Sequence, residues 1–149
     1  MKKRLIAGAA ALALTGMVVA APASYAAVNA PYKLGSSCSG TSVHGFPVSL
    51  KNTLGDTQGS LDLKYSSVAG GTNCTILYDV ASGSHSMTLT LKADNQPATA
   101  SDSGVFSTYA GSISIGGVSG TCVRVSGVLW MGTHSVDRFS YSSGPVACG

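Results

Sequence analysis

Residues 86–92 read Ser-Met-Thr-Leu-Thr-Leu-Lys, a strict alternation of polar and apolar side chains. A period of two puts successive side chains on opposite faces of an extended strand, so one face of this segment is buried and the other is wet. The same period returns in residues 60–65 (SLDLKY), 112–115 (SISI) and 121–125 (TCVRV). Residues 74–80 (CTILYDV) and 105–109 (VFSTY) are rich in strand formers but less regular. Residues 43–50 form a weaker strand, because Pro47 has no N–H to give and belongs at an edge or a bulge. Residues 128–131 and 135–141 complete the set.

Turn-forming clusters separate these runs. They are Leu54-Gly55-Asp56, Ala69-Gly70-Gly71-Thr72-Asn73, Ser82-Gly83-Ser84, Asp94-Asn95-Gln96-Pro97, Ile115-Gly116-Gly117 and Ser126-Gly127. Short strands at this spacing predict an all-β fold, a small antiparallel β-sandwich or barrel. No window after residue 26 carries a 3.6-residue period, so little or no helix is expected.

The first 26 residues read as a cleavable signal peptide. Lys2-Lys3-Arg4 form its positive start, an apolar stretch runs from Leu5 to Val19, and small residues stand at Ser24 and Ala26. The apolar run is shorter than the roughly 20 residues that span a bilayer. Residues 27–37 are expected to be a mobile lead-in, and 38–149 a single β domain. Beyond residue 26 there are six cations and six Asp, so the net charge of +3 comes from Lys2, Lys3 and Arg4. A balanced chain lacks the basic footprint of a nucleic-acid or polybasic membrane binder. The location expected is therefore extracellular, free or at the cell or spore surface.

All four cysteines, Cys38, Cys74, Cys122 and Cys148, lie in the exported part. An even count in an exported chain reads as two disulfides. Three pairings exist. The one expected is Cys38–Cys74 with Cys122–Cys148, each bracketing one half of the chain. A zinc site is the competing use, but there is no C-x-x-C, and His44, His85 and His134 have no ligand-like spacing. No metal or cofactor is expected.

Ser101-Asp102-Ser103-Gly104, with His44 upstream, faintly echoes a secreted serine protease. Val105-Phe106 follow where a Gly and a Pro would be needed, and the chain is short for that fold. The plainer expectation is a loop ending, with Asp102 and Ser103 bonding local backbone before a strand at Val105. The residues before Asp102 are too polar for the buried strand of an aspartic-protease half. Glycoside hydrolysis needs two carboxylates with separated roles. Asp62 and Asp79 are expected to face water instead, Asp56 and Asp94 to sit in turns, and Asp137 to lie on the surface. The three His residues are expected to be exposed polar side chains, and the aromatic rings to pack in the core. Leu129-Trp130-Met131 is the exception, a sticky loop and the first candidate for a partner surface.

The order Cys38-Ser39-Gly40, Asn73-Cys74-Thr75-Ile76, Asp102-Ser103-Gly104-Val105-Phe106-Ser107-Thr108-Tyr109-Ala110-Gly111, Gly120-Thr121-Cys122-Val123 and Ala147-Cys148-Gly149 resembles the spore-associated protein A family of streptomycetes and related actinomycetes. Val125-Ser126-Gly127 stands where that family tends to have Trp-Gly-Gly. The resemblance covers about residues 36–149. It implies a small secreted protein found with spores or aerial surface structures, and it brings no catalytic residues. The expected function is accordingly a secreted, non-enzymatic protein associated with cell-wall or spore-surface components. The alternatives are a secreted protease inhibitor, whose short first disulfide loop the spacing here does not match, and a glycan-binding module, whose platform calls for two or more aromatic rings exposed in a row on one face.

Overall fold

The structure, a computed structural model, describes residues 32–149. The expected signal peptide, and the lead-in as far as residue 31, lie outside the described residues. The strands are β1 (Tyr32–Leu34), β2 (Thr41–Ser42), β3 (Val48–Lys51), β4 (Thr57–Ser66), β5 (Thr72–Asp79), β6 (His85–Ala93), β7 (Ala100–Phe106), β8 (Tyr109–Gly116), β9 (Val123–Trp130) and β10 (Arg138–Ser142). Among the described residues the one helical piece is a single 3-10 turn, Ser135–Asp137.

Two antiparallel sheets form a sandwich. The first has the order β1-β8-β5-β4-β2, with β3 also pairing β4, and the second has the order β10-β9-β6-β7. The alternation read from the sequence is what packs them. Leu61, Leu63, Leu77, Ile113 and Ile115 of the first sheet meet Met87, Leu89, Leu91, Val125 and Leu129 of the second, each 1 % exposed or less. Burial of each such side chain stabilises by about 1.5–3 kcal/mol.

Both expected disulfides are present, Cys38–Cys74 and Cys122–Cys148. The first holds a strap. β1 and β2 lie at opposite edges of the first sheet, so the residues between them must cross its outer face. Cys74 on central β5 points outward and bonds Cys38, while Ser112 Oγ on β8 donates to the Ser37 carbonyl at 2.8 Å. The second disulfide ties the C-terminus beside the start of β9, where Val146 bridges Val123.

Several expectations are corrected. The lead-in is not mobile from Tyr32 onward: β1 pairs with β8, and Tyr32 is 5 % exposed. Its hydroxyl accepts from the Ala93 N–H and donates to the Ala98 carbonyl, which fastens β1 to the second sheet. Residues 100–106 form strand β7 where a loop was expected up to Val105, and the turn falls instead at Ser107-Thr108. The missed period has Ala100, Asp102, Gly104 and Phe106 facing inward, and Asp and Gly there masked the apolar signal. The strand expected from Thr121 begins at Val123.

Candidate functional site

The polar residues that sequence reading singled out separate into interior fastenings and an outward surface. Asp79 was expected in water, but its side chain is fully enclosed at the point where the chain leaves the first sheet for the second. Its Oδ2 accepts from Nδ1 of His85 at 2.5 Å, and its Oδ1 accepts from the Ala81 N–H at 2.9 Å. His85 is correspondingly turned inward at the start of β6, its side chain 15 % exposed. Both carboxylate oxygens therefore close the crossover. Among the described residues no hydroxyl or thiol bonds to His85, so the pair has the base and its orienting carboxylate but no nucleophile.

Asp62 is also enclosed, because β2 lies beside it and Ser42 Oγ donates to it at 3.1 Å. Lys64 Nζ stands 3.8 Å from the same carboxylate. Asp102 accepts from the Gly111 N–H at 2.7 Å, across the gap between the sheets. Ser103 faces the other way and donates to Thr88 Oγ1 at 3.1 Å. His44, the supposed partner of Ser103, is exposed on the turn between β2 and β3. The protease-like string is thus divided between an interior fastening and a surface hydroxyl. Exposure of His44 and His134 agrees with the expectation made for them.

The outward surface with the most regular chemistry is the outer face of the second sheet. Register places its side chains in rows across the strands. The first row is Arg138, Trp130, Ser86 and Val105; the second is Ser140, Val128, Thr88 and Ser103; the third is Ser142, Ser126, Thr90 and Ser101. Arg124 and Lys92 close the far end, with Arg124 held by Asp94 at 3.1 Å. Rows repeat at about 7 Å along the strands and neighbouring strands lie about 4.8 Å apart. Thr90 Oγ1 and Ser126 Oγ are 2.6 Å apart, so part of the hydroxyl array is already oriented. Asp102, the acidic residue of β7, points into the sandwich, and none of the four strands directs a carboxylate outward.

Leu129-Trp130-Met131 is not a loop. Leu129 is fully buried on β9, Met131 packs partly against the core, and Trp130 points outward at 40 % exposure. The candidate surface therefore contracts to Trp130 and extends sideways along its row. Arg138 and Val105 were missed because they lie on other strands, and only the pairing register brings them alongside. Val105 is 71 % exposed. Trp130 is exposed, as expected for that segment, whereas the expectation that the other rings pack inside fails for Tyr78, which stands 41 % exposed against Tyr109 on the outer face of the first sheet.

Beside the strap, the outer side of the first sheet carries a cleft of about 380 Å³ bordered by Ser37, Ser39, Ser66, Thr72 and Ser114. A smaller cavity of about 240 Å³ lies between Tyr65 and the tethered C-terminus. Neither is lined by an Asp, His, Lys or Arg side chain; the one phenol at the smaller cavity is that of Tyr65. Among the described residues no helix is long and apolar enough to cross a membrane.

No protein-family model, no curated protein and no solved structure matches the chain.

Proposed function

We propose that this is an exported, non-enzymatic protein that associates with the outer surface of a cell or spore, in an actinomycete. The observation that carries this reading is the outer face of the second sheet. It is an array of Ser and Thr hydroxyls with one exposed Trp, and none of its four strands directs a carboxylate outward. Hydroxyls both donate and accept, so such a face exchanges hydrogen bonds with a hydrated polymer at little desolvation cost. Two disulfides and the positively charged, apolar start of the chain support export. The enclosed Asp and His side chains fit the non-enzymatic part, because their bonding capacity is directed at closing the fold.

Fractionation of the producing organism tests the reading. The protein is expected in the washed wall or spore fraction. Recovery from the free medium alone contradicts it.

A further inference from the structure

We infer that the outer face of the second sheet binds an extended, uncharged polysaccharide, with Trp130 as its stacking residue and Arg138 as the donor beside it. The inference rests on the surface-association reading and names the polymer that reading leaves open. Four features of the face select this class of partner.

The first is the pairing of chemistries at Trp130. A pyranose ring has an apolar C–H face and a rim of hydroxyls. An indole exposed next to hydroxyls offers a surface for each. Trp130 lies directly opposite Ser86 on one side and Arg138 on the other. Side chains opposite one another across neighbouring strands stand about 5 Å apart, within the width of one sugar ring. Arg138 has no ion pair among the described residues, so its guanidinium donors are free for ring and hydroxyl oxygens.

The second is charge. Arg138 stands at one end of the face, and Lys92 with the Asp94-bound Arg124 at the other; the rows between them are neutral. A nucleic acid or an anionic membrane needs cations distributed along its contact. A metal-bearing mineral surface needs outward carboxylates. An uncharged polymer needs neither.

The third is shape. Neither edge strand carries a side chain larger than Ser in the second and third rows. A chain lying along the first row can leave over Val105 at the β7 edge, so no end-on pocket limits its length. Finally, Ser and Thr contribute little to the anchoring centres of protein–protein contacts. That makes the hydroxyl rows a poor protein interface and a good sugar one.

The test uses the disulfide-intact protein and insoluble chitin and cellulose as probes, read by co-sedimentation. The wild-type protein is expected to sediment with at least one of them, with little dependence on salt. Trp130→Ala is expected to weaken that binding about tenfold or more, and Arg138→Ala severalfold. Tyr78→Ala, on the other sheet, is expected to leave it unchanged. Far-ultraviolet dichroism confirms that each variant is folded. Three results overturn the inference: no sedimentation with either polymer, retention by anionic wall polymer alone with loss in salt, or equal loss in Tyr78→Ala and Trp130→Ala. If the protein still partitions with wall material in the first two cases, the surface-association reading stands and only the polysaccharide assignment falls.

Discussion

Asp102 on β7 accepts a hydrogen bond from the backbone N–H of Gly111 on β8, at 2.7 Å from Oδ2 to N. This bond anchors a carboxylate of the second sheet in the ladder of the first. It meets β8 where its register against β5 shifts: Thr75 pairs with Ile113 and Ile76 with Gly111, which leaves Ser112 between them. Such an irregularity leaves ladder groups without partners. Asp102 takes up one of them.

Replacing Asp102 by Ala removes a charge-assisted bond and strands the Gly111 N–H. Loss of about 1.5–3 kcal/mol of stability is expected. Urea unfolding checks this, with a lower midpoint and an unchanged slope. A midpoint equal to that of the parent protein means that the bond does not support the sheet junction.

Gly111 itself has φ +93°, and a Cβ there would stand 2.5 Å from Leu89 Cδ2 and 3.3 Å from the Thr75 carbonyl oxygen. Gly45 has a similar φ of +87° but open space around its Cβ position. Gly45→Ala therefore incurs the conformational penalty alone, about 1–2 kcal/mol. Gly111→Ala adds displacement of a core leucine and is expected to cost roughly 2–4 kcal/mol in total. Thermal melting of the two variants separates the terms.

At the crossover, His85→Ala leaves the enclosed Asp79 carboxylate with only the Ala81 N–H. A loss of about 2–3 kcal/mol is expected. Asp79→Ala and the double variant complete a cycle, and coupling of about 1–3 kcal/mol between the two side chains is expected. Additive effects contradict the pairing.

The Cys38–Cys74 bond closes a 36-residue separation and the Cys122–Cys148 bond one of 26. In the chain-entropy model these restrain the unfolded state by about 3.5–4 kcal/mol each. Replacing Cys38 and Cys74 together by Ser is expected to lower the urea midpoint by the corresponding amount. The other disulfide should remain, as mass mapping of peptides under non-reducing conditions checks.

The central strands were legible because their alternation carries the core directly. Leu61 and Leu63, Met87, Leu89 and Leu91, and Ile113 and Ile115 all face inward as the period requires. β1 was not legible, since three residues are too few to show a period and Tyr32 is fixed by a hydroxyl that bonds 61 and 66 residues away. β7 was hidden because its inward positions hold Asp102 and Gly104. The burial of Asp79 depends on a change of sheet, which no local pattern announces. The Ser and Thr of the candidate face were visible one strand at a time. Their assembly into rows with Trp130, Arg138 and Val105 is a property of strand order, which was not.

Trp130 is the only Trp in the chain and lies on the face assigned to attachment, so its fluorescence is a native reporter of that face. Emission and acrylamide quenching of the folded, disulfide-bonded protein, with and without purified wall fragments, test the account most directly. Contact through the hydroxyl rows should shift the emission to shorter wavelength and shield the indole from quencher. Protein that co-sediments with the fragments while Trp130 stays equally quenchable would place attachment elsewhere and contradict it.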